Sequence, residues 1–125
     1  MRPFIVLAAI AASLGSMSHD APLGGGAHTA ARTDAAVTIR TFQFAPDTLR
    51  VTAGTRVVWT NADEIEHTVT SGTLDARDDR FDSVVPKRGA TYSAVFEKPG
   101  TYRYFCERHR FMSGTVIVNP EENHQ

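Results

Sequence analysis

The chain has 125 residues, a length typical of a single domain, and its formal net charge is −1. Its 13 basic and 14 acidic residues argue against a strongly basic nucleic-acid-binding protein and against an acidic disordered one. No stretch reaches the roughly 18 consecutive apolar residues that a membrane-spanning helix needs. The single cysteine, Cys106, excludes an intramolecular disulfide and any metal site built from several cysteines.

The N-terminal segment has the features of a secretory signal peptide. Arg2 supplies a positive charge, residues 4–14 form a short apolar run, and Ser16 and Ser18 are placed as the small residues before a cleavage site. We therefore predict a signal peptide over residues 1–18 and a periplasmic or otherwise exported mature protein. The alternative is that this segment is retained as an uncleaved anchor.

Two further segments lack the large apolar side chains of a packed core. Residues 19–36 are rich in Ala and Gly, and they are predicted to form a flexible linker because they bury too little surface to offset their ordering entropy. Residues 120–125 are predicted to form a disordered tail for the same reason. The folded domain is therefore expected over residues 37–119, which is a small but sufficient length for one hydrophobic core.

Within that domain the sequence predicts short strands separated by turns. The predicted strands cover residues 37–44, 49–52, 55–60, 67–70, 81–85, 92–96, 101–106 and 115–118. A polar loop is expected between residues 70 and 81, and no amphipathic helical stretch occurs in the sequence. This pattern is typical of an all-β antiparallel sandwich or barrel. Trp59 and Tyr104 are expected to be packing residues of its core.

One loop of the predicted domain carries three side chains that suit a soft metal ion. Cys106, His109 and Met112 have the spacing C-x2-H-x2-M directly after a predicted strand. Thiolate, imidazole and thioether donors favour copper over magnesium, calcium or manganese. His67 is the candidate for a fourth donor, because strands distant in sequence can meet at one end of a sandwich. Two His, one Cys and a weak axial Met form the ligand set of a blue-copper electron-transfer site.

The sequence around these residues resembles that of small cupredoxins, the blue copper proteins of the plastocyanin, pseudoazurin and amicyanin type. The resemblance covers nearly all of residues 37–119 and is carried by residues 44–61, 66–72, 81–83 and 99–118. The spacing of the ligand loop is similar to that of amicyanin. The resemblance implies a Greek-key β-sandwich of about eight strands with one copper ion, cycling between Cu(I) and Cu(II) in a type 1 site. Its implied ligands are His67, Cys106, His109 and Met112.

The resemblance also implies roles for residues beside the ligands. We expect the N–H or hydroxyl of Thr68 to hold the Cys106 loop in place. Arg108 stands where relatives have proline, so its N–H is expected to be a second donor to the Cys106 sulfur, unless this N–H simply faces water. Arg108 and Arg110 flank His109, and we predict that they attract an acidic surface of a redox partner. The alternative is that both arginines pair with nearby acids such as Glu107.

The resemblance implies a monomeric, exported one-electron carrier between redox proteins, with no nucleic-acid partner. A copper-binding module that delivers or buffers copper ions is the alternative function, and a structural sandwich without metal is a third class. The sequence has no Ser/His/Asp set, phosphate-binding loop or plausible pair of carboxylates, so we do not expect an enzyme.

Overall fold

The computed structural model describes residues 33–121. The regular secondary structure in that part of the chain consists of β-strands alone. The nine strands are β1 (Asp34–Arg40), β2 (Gln43–Ala45), β3 (Thr48–Thr52), β4 (Thr55–Asn61), β5 (His67–Thr73), β6 (Ala76–Val85), β7 (Thr91–Phe96), β8 (Gly100–Cys106) and β9 (His109–Asn119). Between residues 33 and 121 there is no helix that could cross a bilayer. The predicted signal peptide, residues 19–32 of the predicted linker and residues 122–125 of the predicted tail lie outside the described residues.

The strands form two sheets, which confirms the predicted all-β sandwich. One sheet has the order β2-β1-β4-β7, and the other has the order β3-β9-β8-β5-β6. β1 is parallel to β4 and β3 is parallel to β9, whereas the other pairs are antiparallel. The predicted strand over residues 37–44 is two strands, because Thr41 and Phe42 have positive φ angles of 50° and 60° and turn the chain between β1 and β2.

The first strand begins three residues before the predicted start of the domain at Val37. β1 starts at Asp34 because its backbone pairs with β4 from Arg56 onward. The carboxylate of Asp34 also accepts two hydrogen bonds from the Arg56 guanidinium, at 2.6 and 3.1 Å. Residues 34–36, which were predicted to be linker, are therefore part of the first sheet.

The polar loop predicted between residues 70 and 81 is instead mostly strand. β5 continues to Thr73 and β6 starts at Ala76, so the two strands form a long hairpin with a register shift near Gly72. Gly72 has a φ of +100°, and a Cβ there would lie 2.5 Å from the carbonyl oxygen of Ala76. β6 is polar because it is the edge strand of its sheet and its first five residues are exposed.

The core lies between the two sheets and is built from the inward-facing residues of each strand. Its buried apolar members include Val37, Ile39, Val57, Trp59, Val69, Val85, Tyr104, Val116 and Val118. Burial of one such side chain stabilises the fold by roughly 1.5–3 kcal/mol. Trp59 lies at the centre of an aromatic cluster, with the rings of Tyr92, Phe96 and Tyr104 at centroid distances of 5.7, 6.2 and 5.3 Å.

Replacing Gly114 by Ala should destabilise the fold. Gly114 pairs with Tyr104 across β8 and β9, and a Cβ at Gly114 would lie 2.2 Å from the Tyr104 ring. Because the ring is buried, relief requires displacement of the core, which typically costs about 1–3 kcal/mol. Urea unfolding should show this loss, whereas Ser113→Ala, an exposed neighbour on the same strand, should unfold like the parent. An unchanged midpoint for Gly114→Ala would contradict this packing.

Candidate metal centre

The chain brings three of the predicted donors together at one end of the second sheet. Cys106 is the last residue of β8 and His109 is the first residue of β9, with a two-residue turn between them. β5 lies beside β8, where Thr70 pairs with Phe105. His67, the first residue of β5, therefore reaches the same end of the sheet. Antiparallel pairing thus converts a separation of 39 residues into side-chain contact between His67 and Cys106.

The donor atoms of these three side chains form a compact triangle. His67 Nδ1 lies 3.2 Å from His109 Nδ1, and the Cys106 sulfur lies 3.9 and 3.5 Å from the two nitrogens. Bond lengths of about 2.0–2.3 Å are typical of His and Cys ligands, and a trigonal plane with such bonds has edges of about 3.6 Å. The triangle therefore fits one metal ion, and its soft-to-borderline donors suit copper.

The predicted donors differ in their access to solvent. His67 and Cys106 are fully buried, and Met112 is 2% exposed on β9, three residues after His109. His109 is only partly buried. Partial burial, followed by the nearby charges of His67 and Arg108, lowers the pKa of His109. A lowered pKa favours the neutral imidazole, which is the form that binds metal.

Asp63 holds the His67 ring in the orientation that a metal requires. His67 Nε2 lies 2.8 Å from the Asp63 carboxylate, and an ionised carboxylate can only accept a hydrogen bond. His67 Nε2 therefore carries the proton, and the Nδ1 lone pair points into the donor triangle. A carboxylate–histidine pair of this kind is the usual support of a metal-binding imidazole. Asp63 was not among the predicted site residues.

The same carboxylate also closes the turn between β1 and β2. Asp63 accepts hydrogen bonds from the backbone N–H groups of Thr41 and Phe42, at 2.8 and 3.1 Å. Partial burial by itself would raise the pKa of Asp63, but these two N–H groups and His67 together hold that pKa below its usual value. The turn places the Phe42 ring edge-on to both imidazoles, with centroid distances of 5.8 Å to His67 and 5.0 Å to His109.

Asn61, the last residue of β4, fixes the loop that carries Asp63. Its side-chain amide donates to the carbonyl oxygens of Ile65 and Val85, at 2.8 and 2.9 Å. Its carbonyl oxygen accepts the backbone N–H of Asp63 at 2.8 Å. Asn61 is fully buried, so these bonds satisfy groups that would otherwise be desolvated without a partner. The sequence signals for Asn61 and Asp63 were their polarity and their place between a strand and His67.

Thr68 occupies the position expected for it next to the Cys106 loop. Its backbone N–H lies 3.4 Å from the Cys106 sulfur, and its hydroxyl accepts the N–H of Glu107 at 2.9 Å. The Thr68 hydroxyl lies 3.0 Å from that of Thr70, which donates to the Asp82 carboxylate at 2.9 Å. A continuous set of hydrogen bonds thus ties the turn after Cys106 to the neighbouring strands.

Arg108 does not take the expected place beside the Cys106 sulfur. Within residues 33–121 no hydrogen bond joins its N–H to that sulfur, because the tight turn directs the preceding N–H of Glu107 to Thr68 instead. The Arg108 guanidinium forms an ion pair with Glu66, and Glu107 pairs with Arg77. The alternative in which the loop arginine is paired with a nearby acid therefore holds for Arg108.

The partly buried edge of His109 lies in a mainly apolar surface. Phe111 is 74% exposed, and its ring centre lies 6.3 Å from that of His109. Phe42, in the turn between β1 and β2, contacts the His109 ring as well. Arg110 is exposed beside them and has no ion pair among the described residues. We call Phe42, Phe111 and Arg110 the His109 surface.

Comparisons of the sequence and of the fold with known proteins point to the same family. The family described as "Copper binding proteins, plastocyanin/azurin family" matches residues 31–119. Amicyanin-alpha of Methylorubrum extorquens is 34% identical over 88% of this chain and 96% of that protein. Plastocyanin of Scenedesmus fuscus is 33% identical over 60% of this chain and 85% of that protein.

Solved structures agree with these relatives. A purple cupredoxin from Nitrosopumilus maritimus has a TM-score of 0.63 and 29% identity, over 69% of this chain and 100% of that chain. A reduced amicyanin variant has a TM-score of 0.60 and 28% identity, over 71% of this chain and 83% of that chain.

Proposed function

Because this chain belongs to the plastocyanin/azurin family of copper-binding proteins, we propose that it is an exported blue copper protein that carries single electrons between redox partners. Copper is its cofactor. His67, Cys106 and His109 would hold the copper ion, and Met112 would supply a weaker thioether donor. The observation that carries the proposal is the triangle of donor atoms, with edges of 3.2, 3.5 and 3.9 Å.

Bound copper supplies a one-electron couple between Cu(I) and Cu(II). The chain contributes a donor arrangement that changes little between the two oxidation states. Asp63 fixes the His67 ring, and Thr68 fixes the sulfur of Cys106 and the turn that follows it. Full burial of His67 and Cys106 excludes water from the donor triangle. Donors that are already in place need little reorganisation when an electron arrives or leaves, which favours fast transfer.

His109 is the donor through which we expect electrons to enter and leave. It is the one member of the proposed ligand set that is not almost completely buried. The exposed Phe111 and the partly exposed Phe42 lie against its ring, so a partner can exclude water there without desolvating many charges. The His109 surface is therefore the proposed site of electron exchange.

The test of this function is the visible spectrum and the voltammetry of the copper-loaded protein. We expect an intense blue band from thiolate-to-copper charge transfer, a reversible one-electron wave and fast self-exchange. A colourless, electrochemically silent Cu(II) protein would overturn the proposal. Transfer of copper to a metal-free acceptor protein, without redox turnover, would support the copper-delivery function instead.

Replacing Asp63 by Ala should weaken copper binding. The substitution removes the acceptor of the His67 Nε2–H bond and opens the turn at Thr41 and Phe42. Loss of such a support typically lowers metal affinity by about 10–100-fold. Competition with a chelator should show this loss, whereas Asp75→Ala, an exposed carboxylate in the β5–β6 turn, should bind copper like the parent. Equal affinities of the two variants would rule out this role for Asp63.

Arg110 is the residue that we expect to steer an acidic partner to the His109 surface. The two loop arginines differ in their ion pairing. Glu66 partly neutralises Arg108, whereas Arg110 is exposed and has no ion pair in the described part of the chain. A positive charge beside His109, where electrons are proposed to enter and leave, should raise the rate of association with an acidic partner surface. The effect should decline with salt, since the Debye length falls from ~10 Å at 0.1 M to ~3 Å at 1 M.

Replacing Arg110 by Gln should slow electron transfer to an acidic partner or an anionic oxidant several-fold at low salt, and should flatten its salt dependence. Arg108→Gln should have a smaller effect because of its ion pair with Glu66. The matched control is Arg50→Gln, since Arg50 pairs with Ile117, eight residues and about 26 Å along β9 from His109. Identical rates for all four proteins across a stopped-flow salt series would refute this steering.

Export and a monomeric state complete the proposal. Export is supported by the sequence features of residues 1–18. N-terminal sequencing of the protein from a periplasmic extract tests it, and a mature chain that still begins at Met1 would refute cleavage. Sedimentation equilibrium tests the monomeric state.

A further inference from the structure

A chain of hydrogen bonds runs from the surface of β6 to the turn after Cys106. The Thr70 hydroxyl donates to the Asp82 carboxylate at 2.9 Å, and it lies 3.0 Å from the Thr68 hydroxyl. The Thr68 hydroxyl in turn accepts the backbone N–H of Glu107 at 2.9 Å. Asp82 is exposed, whereas Thr68 and Thr70 are buried. The chain of hydrogen bonds therefore connects a surface carboxylate with the buried side of the ligand turn.

The direction of each of these hydrogen bonds is fixed by the Asp82 end. An ionised carboxylate can only accept a hydrogen bond, so the single hydroxyl proton of Thr70 is used on Asp82. The Thr70 oxygen then accepts the hydroxyl proton of Thr68. With that proton placed, the Thr68 oxygen presents a lone pair to the Glu107 N–H. All three donors point towards Asp82, an arrangement in which each hydrogen bond polarises and strengthens the next.

Strand register places the Asp82 carboxylate at this position. Thr70 pairs with Asp82 across β5 and β6, and Thr68 lies two residues before Thr70 on the same face of the sheet. Val69, between the two threonines, belongs to the core on the opposite face. The register shift of this strand pair begins only after Thr70, so it leaves the pairing of Thr70 with Asp82 intact. The backbone of the sheet therefore holds the side chain of residue 82 against Thr70.

Arg77 joins the two ends of this chain of hydrogen bonds on the outside of the sheet. Its guanidinium forms an ion pair with Glu107 and lies 4.0 Å from the Asp82 carboxylate. Glu107 is therefore held twice, by its backbone N–H through Thr68 and by its side chain through Arg77. Water screens the Arg77 contacts because all three charged groups are partly exposed, whereas the hydroxyl pair is buried. The buried hydrogen bonds are accordingly the stronger link between Asp82 and the turn.

We infer that Asp82 is a positioning residue of the copper centre, which acts through Thr70 and Thr68 to hold the turn after Cys106. The inference rests on the proposed one-electron function of that centre. Thr68 contacts the centre twice, because its backbone N–H also lies 3.4 Å from the Cys106 sulfur. Outer hydrogen bonds of this kind fix the orientation of metal ligands. A turn that keeps its shape in both oxidation states lowers the reorganisation that accompanies electron transfer.

Removal of the acceptor at position 82 should loosen the turn without unfolding the sandwich. One of the two buried hydroxyl protons then loses its partner, and either hydroxyl can donate to the other. The Thr68 oxygen is then no longer held in the orientation that accepts the Glu107 N–H. Because Asp82 is exposed on an edge strand, its replacement leaves the packing of the core unchanged.

The test is amide hydrogen exchange, measured by NMR on the full-length Cu(I) protein and on its metal-free form. In Asp82→Ala, the Glu107 N–H should exchange at least tenfold faster than in the parent, in both forms. In Asp82→Asn, exchange should stay as in the parent, because the carboxamide oxygen still accepts from Thr70. Asp75→Ala removes an equal charge from the same hairpin and should have no effect. Parent-like exchange in Asp82→Ala, or equal effects of Ala and Asn at position 82, would overturn the inference.

A double-mutant cycle separates the path through Thr70 from a direct effect of the Asp82 charge or of Arg77. Thr70→Val removes the middle hydroxyl but keeps the branched shape of the side chain, and it should also speed exchange of the Glu107 N–H at least tenfold. Adding Asp82→Ala to Thr70→Val should change the exchange rate no further, because both substitutions break the same chain of hydrogen bonds. A further acceleration in the double variant would refute the path through Thr70.

Electron self-exchange of the copper-loaded protein supplies a second readout. The rate for Asp82→Ala should be at least threefold lower than that of the parent, and Asp82→Asn should restore it. Because Ala and Asn remove the same charge, a difference between them isolates the hydrogen-bond acceptor. Equal rates for the parent and Asp82→Ala would contradict the role of Asp82 at the copper centre. Failure of the proposed function is distinguishable, because it would appear as a missing blue band and a missing voltammetric wave, while exchange in the metal-free protein would still test the chain of hydrogen bonds.

Discussion

Replacing Cys106 by Ala should abolish the blue absorption of the Cu(II)-loaded protein, because the band arises from charge transfer between the thiolate and copper. Cys106 is the sole cysteine of the chain, so no other sulfur can supply a thiolate. The donor triangle would lose one vertex and retain only the two imidazoles. The visible spectrum after addition of Cu(II) measures the effect, and we expect complete loss of the band.

The fold should survive this substitution, since Ala fills most of the space of a small buried side chain at the end of β8. Circular dichroism should therefore report the β-sheet content of the parent. Cys106→Ser is the matched control, because it keeps an oxygen donor in place and should bind copper without a blue band. Persistence of the band in either variant would show that the thiolate is not its source.

Replacing Met112 by Leu should raise the reduction potential. The axial thioether helps to stabilise Cu(II), so its removal favours Cu(I). At a fixed applied potential, we expect at least a tenfold increase in the ratio of Cu(I) to Cu(II). This change corresponds to a rise of about 59 mV in the reduction potential for one electron. Because Met and Leu have similar volumes and the site is buried, packing should change little. Protein-film voltammetry measures the shift.

The control for this substitution lies on the same strand. Val118→Ile changes a buried apolar side chain of β9 that is distant along the chain from His109, and it should leave the potential unchanged. A fall in the potential of Met112→Leu would contradict the axial assignment. Equal shifts in the two variants would attribute the effect to packing in the core.

Much of the centre could be predicted from the sequence because its chemistry is local. Cys106, His109 and Met112 lie within seven residues, and a short turn between two strands is enough to bring the first two together. The alternation of apolar residues likewise predicted the strands, since one face of each is buried in the core. His67 could be proposed because a fourth donor was required and strands distant in sequence meet at sandwich ends.

The supports of the centre could not be predicted because they depend on contacts between distant residues. Asp63 meets Thr41 and Phe42 across 22 and 21 residues of chain. The turn that presents those N–H groups has positive φ at two non-glycine residues, so it lacks the Asn-Gly or Asp-Gly signal of such turns. Without that turn, Phe42 was assigned to a continuous strand, and its contact with His109 was missed.

The ion pair of Arg108 could not be predicted from the sequence either, although Arg108 lies next to His109 in the chain. Its position beside His109 was evident from the sequence, but its ion pair with Glu66 depends on how the β8–β9 turn faces the start of β5. The first five residues of β6 and the end of β5 were missed for another reason. Edge strands are polar, and polarity in a single sequence also predicts a loop.

The parallel pairing of β3 with β9 has a consequence for the order in which the chain folds and acquires its metal. Thr48 pairs with Thr115, so the second sheet closes only when segments 67 residues apart meet. Such non-local pairing makes loop closure a slow step of folding. His109 and Met112 both belong to β9, so half of the proposed ligand set is placed only by this last strand. The complete set of four ligands is therefore assembled only after nearly the whole domain has folded.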